Sequence, residues 1–368
     1  MHDRMHLIIT GGLLAVAAVI FTAVTLMPTA DSNPPNVARP RADQPAELGG
    51  VRWGRDLNAG LAEARRLDRP ALVLFDEVPG CSTVLAFGKT VLAHPLIVEA
   101  AETLFVPVAI YNNIDGKDRE VLRAFDEPTW NNPVVRIIDP DRAPLAPRLD
   151  GDYTVAGLAS NMTTALDKAG HKTPPWLALL AEEQRAERDG TETATFGMYC
   201  FWSGEAGFGA LDGVVATQTG FLDGREVVQV EYDPRTLPYT RLAAFARESR
   251  TGEVAFTTNE QQQSVAKRIF GDNALAAKDR IRPSESDDKY NLAHSSWAAV
   301  PMTEAQASRA NARVAAGKSP ADLLSPRQRA LHDLIKQHPD AGWPTQLGRG
   351  DVIDAFARAE AVAAKLPR

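Results

Sequence analysis

Short apolar runs separated by helix-length amphipathic segments constrain this chain most. Ala71-Leu72-Val73-Leu74-Phe75, residues 105–111 and residues 133–139 are short, largely apolar and bounded by Pro, Asn or Gly. Runs of that length and character read as strands buried on both faces. Helical patterns lie between and around them. Residues 55–68 place Leu57, Leu61, Ala64 and Leu67 on one face, and Arg69-Pro70 ends the pattern. Residues 84–103 read as helix with a break at Pro95, and residues 153–169 as a closing helix. Strands that alternate with helices imply an α/β domain, over residues 49–181.

A polar segment, residues 182–193, reads as a separator. A second domain follows over residues 191–300. Its strands are expected at residues 194–198, 213–217 and 226–232, and its helices at residues 202–211, 239–248 and 261–269. From Met302 onward the chain is rich in Ala and Arg. Ser319-Pro320 and Ser325-Pro326 each pair a capping residue with proline at a first helical position. Residues 351–365 read as a terminal helix, so residues 301–368 form a helical tail, expected to pack against the second domain.

The N-terminus bears on location. Leu7 to Met27 is a 21-residue stretch without a charge. It exceeds a signal-peptide core and is long enough to span a bilayer. Pro28-Thr29-Ala30 is a poor cleavage site. Residues 1–27 are therefore expected to be an uncleaved transmembrane anchor rather than a removed signal. Residues 28–48 carry five prolines and read as an extended tether. This places the remaining body outside the cytoplasm, periplasmic and membrane-anchored, or exported and soluble if the segment is cleaved.

Composition excludes some classes. The net charge is −7 and no Lys/Arg run is present, which speaks against nucleic-acid binding. Two cysteines are too few for a disulfide scaffold or a cysteine-rich zinc site, and the seven histidines are scattered. Neither metal nor cofactor is expected. The two cysteines carry the chemistry. Cys81 follows Val78-Pro79-Gly80, and Cys200 sits in Gly197-Met198-Tyr199-Cys200-Phe201-Trp202. Each stands where a strand should hand over to a helix, whose N-terminal N–H groups favour a thiolate.

The first domain resembles the thioredoxin family. The motifs are Trp53, Leu57 and Ala64, then Pro70 to Phe75, Cys81, Phe105-Val106-Pro107-Val108 and Asn132-Pro133. In that family a proline, usually cis, faces the active thiol, and Pro133 is the matching position. The resemblance puts Cys81 at the first cysteine of C-x-x-C and Val84 at the second. Gly80 replaces the preceding tryptophan. The attacking thiol is kept and its partner is lost, so the domain cannot cycle as a dithiol alone. Either Cys81 forms a mixed disulfide with another thiol, or it is a buried bystander in a redox-dead scaffold.

The second domain resembles methionine sulfoxide reductase A, which implies a two-layer α/β fold. Gly197-Met198-Tyr199-Cys200-Phe201-Trp202-Ser203-Gly204-Glu205 is similar to that family's G-C-F-W-G-x-E signature. Leu211-Asp212-Gly213-Val214-Val215 matches L-x-G-V-x, and Gly220-Phe221 stands where the family has G-Y. Residues 224–234, Gly-Arg-Glu-Val-Val-Gln-Val-Glu-Tyr-Asp-Pro, follow the family's G-H-A-E-V-V-x-V-x-Y-D-P with one residue missing. The resemblance implies that Cys200 attacks the sulfoxide sulfur, Phe201 and Trp202 line the methyl pocket, and Glu226 donates the proton. It also implies the S epimer. Phe221 lacks the hydroxyl of the family's tyrosine, and Q-Y-R-S has no counterpart. Tyr199, in place of a glycine, and Tyr290 are candidates to return a hydroxyl. Glu205 either shapes the site or serves a helix-surface or capping role. The family's recycling cysteines are absent.

The expected architecture is thus α/β and α+β: anchor, linker, thioredoxin-like domain, reductase-like domain and helical tail. The expected function is thiol-dependent reduction of methionine sulfoxide, free or protein-bound, by Cys200. Cys81 would resolve the resulting sulfenic acid, and an external dithiol of thioredoxin type would reduce the disulfide. A static Cys81–Cys200 bond is the structural alternative. Two other functions stay open: thiol–disulfide exchange through Cys81, and a non-catalytic membrane-tethered thiol sensor or interaction protein.

Overall fold

The computed structural model describes residues 44–130, 133–249 and 252–367. The anchor expected over residues 1–27 and most of the linker lie outside the described residues. Among the described residues no single helix is long and apolar enough to cross a membrane.

In the first half, α1 (Leu57–Leu67) leads into β1 (Ala71–Asp76), then α2 (Ser82–Thr90), α3 (Pro95–Leu104), β2 (Val106–Tyr111), α4 (Lys117–Ala124), β3 (Val134–Ile138), α5 (Val155–Lys168) and α6 (Pro175–Asp189). The strands form a sheet in the order β2-β1-β3, with β2 parallel and β3 antiparallel to β1. All six residues of β1 are buried. Val73 and Phe75 face one core with Leu57, Leu61 and Leu122, whereas Leu72 and Leu74 face the other with Leu96, Ile97 and Met162. The two-residue period of a strand explains why an uninterrupted apolar run is needed there. Proline at the first position of α3 sets the observed break from α2.

The second half comprises β4 (Glu192–Met198), α7 (Phe201–Gly209), β5 (Val214–Leu222), β6 (Arg225–Tyr232), α8 (Tyr239–Glu248), β7 (Gly252–Thr257), α9 (Glu260–Phe270), β8 (Ala274–Ala276), β9 (Arg282–Pro283) and α10 (Tyr290–Ala293). Its six-stranded sheet runs β8-β7-β4-β6-β5-β9, antiparallel except for β7 with β8. Phe196, Val228, Val230 and Tyr232 from one face are buried with Phe208, Leu242 and Val265 of the covering helices.

Three expectations need correction. Linker residues 46–48 form a 3-10 turn, and Leu48 is buried in the first core. Most of the expected separator is helix α6, whose Trp176, Leu177 and Leu180 enter that same core. Glu182, Arg185, Glu187 and Arg188 there lie on the outer side of the helix, a composition that also suits a linker. The tail, with α11 (Glu304–Ala315), α12 (Pro326–Gln337) and α13 (Val352–Ala363), packs on both halves rather than the second alone. Leu331, Phe356 and Ala359 join the first core, and α11 lies against α7 and β5. Ser325-Pro326 opens α12 with a capping box to Gln328, whereas Pro320 leads only into a 3-10 turn.

Candidate active site

The chain turns from β4 into α7 at Cys200, which occupies the N-cap in an extended conformation. The turn is tight. A Cβ on Gly204 would meet Met198 Sδ at 2.7 Å, so the first turn of α7 lies close against the Met198 side chain at the end of β4. Cys200 is a partly exposed thiol. The Ser203 hydroxyl donates toward its Sγ at 3.8 Å.

Glu226, near the start of β6, is brought to the same turn. Its Oε2 accepts the Phe201 N–H at 2.9 Å, so a carboxyl stands one residue from the thiol. Glu226 pairs across the ladder with Phe221, and Phe221 with Arg282. Phe221 packs edge-on against Phe201, with ring centroids 5.6 Å apart. The Arg282 guanidinium lies over the Phe221 ring, 4.9 Å from its centroid. Trp202 is half-buried and stacks on Tyr290 at 3.9 Å. Its indole N–H donates to Asp287 Oδ1 at 3.1 Å. Cys200, Glu226, Phe201, Trp202, Phe221 and Tyr290 therefore form one neighbourhood. Tyr199 stands at its edge, with 83% of its surface in solvent, and is not part of the packed aromatic group.

Glu205 is fully buried, which excludes the surface reading. Its Oε1 accepts from Thr217 Oγ1, and its Oε2 accepts the Lys289 N–H at 2.7 Å and Asn311 Nδ2 at 3.4 Å. Burial, with the Asp288 carboxylate close by, raises the Glu205 pKa well above the ordinary carboxyl range. Lys289 is buried as well. Burial pulls its ammonium down, but Glu304, Asp288 and Glu205 more than offset this and hold it charged.

The second thiol has a different setting. Cys81 is exposed at the N-cap of α2, which corrects the reading of a buried bystander. The N–H groups of Val84 and Thr83 hold its thiol below the ordinary value. Val84, at the lost cysteine position, is a fully buried core residue. Pro133 is buried at the entry to β3, and its bond to Asn132 lies outside the described residues. The cis peptide bond among the described residues is Val78–Pro79, within the Cys81 loop. Beneath that loop Asp76 is fully buried with both carboxyl oxygens unpartnered, and burial pushes its pKa up to about 8. The two thiols are not joined to each other.

Asp287, Asp288, Lys289 and Asn311 were not legible as neighbours of the site. The Asp287-Asp288-Lys289-Tyr290 run marks only the tyrosine, and nothing local ties position 311 to position 205.

Two comparisons with known proteins bear on this chain. A family model described as thioredoxin-like matches residues 52–140. The peptide methionine sulfoxide reductase MsrA of Methanococcus maripaludis is 39% identical, over 14% of this chain and 44% of the relative. Peptide methionine sulfoxide reductase A5 of Oryza sativa is 42% identical, over 14% of this chain and 26% of the relative. MsrA 1 of a Nostoc species is 40% identical, over 14% of this chain and 43% of its own. This chain thus spans less than half the length of these curated relatives. It is a mixed α/β protein with a thioredoxin-like segment at residues 52–140 and a short stretch of similarity to peptide methionine sulfoxide reductases.

Proposed function

We propose that the protein reduces methionine sulfoxide with thiol electrons, Cys200 being the nucleophile and Glu226 the acid. The observation that carries the reading is the Glu226 carboxyl bound to the Phe201 N–H, beside a partly exposed Cys200 and a wall of aromatic rings. Sulfoxide sulfur is a weak electrophile until its oxygen is protonated. In this reading Glu226 supplies that proton while Cys200 attacks sulfur. Phe201, Trp202 and Phe221 offer apolar surface for the methyl group, with Tyr199 at the rim. Oxygen then passes to Cys200. The thioether is released, reduced by two electrons, and Cys200 is left as a sulfenic acid.

A second thiol must condense with that sulfenic acid, releasing water and forming a disulfide. We assign this to Cys81, the only other cysteine, exposed and held below its ordinary pKa. An external dithiol then reduces the disulfide. The uncharged stretch over residues 7–27 supports a membrane-tethered body outside the cytoplasm, which protease accessibility in intact cells tests.

The assay is consumption of a methyl sulfoxide with dithiothreitol. Cys200→Ser should abolish it, whereas Cys81→Ser, pre-reduced and assayed without reductant, should still complete one stoichiometric turnover. Turnover by Cys200→Ser at the wild-type rate refutes the reading. The exposed Cys81 favours thiol–disulfide exchange as the second reading. Reduction of a model disulfide without reduction of the sulfoxide would select it.

A further inference from the structure

Trp202 packs against the core of the second half, but its indole hydrogen bond and its closest ring stacking both come from one irregular segment, residues 284–290. Asp287 accepts its indole N–H, and Tyr290 covers its ring. This segment is a turn, not a strand or a long helix, and Lys289 within it has φ 50. Left-handed backbone at a lysine is unfavourable by itself, so the turn needs outside restraint. At its start Ser284 is tied to Thr219 of β5 and donates its hydroxyl to Asp287 at 2.6 Å, and the tail restrains the remainder. Arg349 gives Nε and Nη2 to Asp288 Oδ2 at 3.0 and 2.8 Å, and Nη2 also donates to the Glu285 carbonyl at 2.9 Å. Glu304 pairs with the Lys289 ammonium at 3.1 Å. Asn311 accepts the Leu292 N–H at 3.0 Å. The reductase half adds Glu205 and the Thr217 carbonyl, which take the Lys289 N–H and ammonium.

The Arg349 turn is itself fixed against α11. Gly348 has φ 82, and a Cβ there would meet Ala307 Cβ at 2.8 Å and the Thr303 carbonyl at 2.9 Å. Arg349 thus has a defined origin and two defined targets.

We propose that Arg349 is a positioning residue for the Cys200 site. It clamps residues 285–288 and so fixes Trp202 and Tyr290, which makes the C-terminal tail a working part of the reductase half. The proposal rests on the function proposed above for what the site reduces, but not for the clamp. Asp288 is buried, and its Oδ2 takes both Arg349 contacts. Loss of the guanidinium leaves that carboxylate with Lys289 alone and frees the Glu285 carbonyl. Asp287 keeps the Ser284 hydroxyl, but the turn that carries Asp287 and Tyr290 loses its guanidinium restraint, so Trp202 is less firmly placed while Cys200 and Glu226 keep their contacts.

The test uses the full chain with Arg349→Met and Arg349→Lys, and has two readouts. The first is Trp202 emission, taken as the difference from Trp202→Phe in each background. It needs no sulfoxide chemistry. Arg349→Met should shift it, and Arg349→Lys, which keeps the charge but not both contacts, should fall between Met and wild type. The second is turnover of N-acetylmethionine sulfoxide. KM should rise roughly tenfold with kcat changed by less than about threefold, since the damage is to the binding wall and not to the reacting groups. If Arg349→Met does not fold, Arg349→Lys is read alone against the wild type. Unchanged Trp202 emission in a folded variant overturns the clamp. A wild type inactive on every sulfoxide sinks the proposed function and leaves the emission test of the clamp intact.

Discussion

Asp76→Asn should change the stability of this protein in a pH-dependent way. Asp76 ends β1 fully buried, with neither carboxyl oxygen hydrogen-bonded, and its pKa is pushed from 3.8 to about 8. The folded chain therefore holds a proton between about pH 4 and 8 that the unfolded chain has released. The native state binds more protons, so stability falls as pH rises through that window. The slope is about 1.4 kcal/mol per pH unit, and the whole span amounts to roughly 6 kcal/mol as an upper bound. Asparagine carries no such proton. The variant should be slightly less stable than wild type at pH 5, because its amide also lacks partners. It should then gain on wild type by about 4 kcal/mol between pH 5 and 8. Denaturant unfolding of both proteins at pH 5, 6, 7 and 8, with reductant present, measures this. Comparing the two at each pH cancels groups common to both, such as Glu183, which burial also pushes up to about 8. A difference that stays constant within about 0.5 kcal/mol across the series would show that Asp76 is ionised in the folded protein, and the burial argument would fail.

Glu226→Gln keeps an oxygen to accept the Phe201 N–H but cannot donate a proton in the same way. It should lower kcat for sulfoxide reduction about 100-fold or more while leaving alkylation of Cys200 by iodoacetamide near the wild-type rate. Lys289→Met removes the buried ammonium that faces Glu304 and Asp288 and donates to the Thr217 carbonyl. Destabilisation of about 3–5 kcal/mol is expected by denaturant unfolding, because Glu304 loses its cation, Asp288 keeps Arg349 alone and the buried Thr217 carbonyl loses its donor.

The fold was legible where local sequence and tertiary environment make the same demand. β1 has core on both sides, so its apolar run could be nothing but a buried strand, and β2 and β3 follow the same logic. Pro95 marks a helix start by its own stereochemistry. The core of the candidate site was legible for a similar reason: Cys200, Phe201 and Trp202 are contiguous, and Glu226 faces Phe221 across a single hairpin. What escaped lacks that agreement. α4 and the C-terminal part of α6 are polar segments made helical by what they cover. β7 is only six residues long, with Glu253 exposed near its start. Lys289 reads as a surface residue, yet it is buried because three acids and a carbonyl converge on it.

The tail shows why such contacts matter for the chemistry. Residues 301–368 carry no cysteine, and their sequence suggests only helices. Yet their apolar side chains complete cores begun elsewhere: Leu331 and Phe356 in the first half, and Met302 and Leu324 with Leu292 beside the second. Their polar groups do the same. The Arg327 N–H donates to Glu99 Oε1, and the Ala305 N–H to Glu183 Oε1, both buried carboxyls of the first half. Asn311 and Arg349 reach the segment that holds Trp202. Removing the tail would therefore expose apolar surface in both halves and strand buried carboxyls at once. A thiol site assembled at one strand end is in this way supported by residues more than a hundred positions later in the chain, and its geometry depends on them.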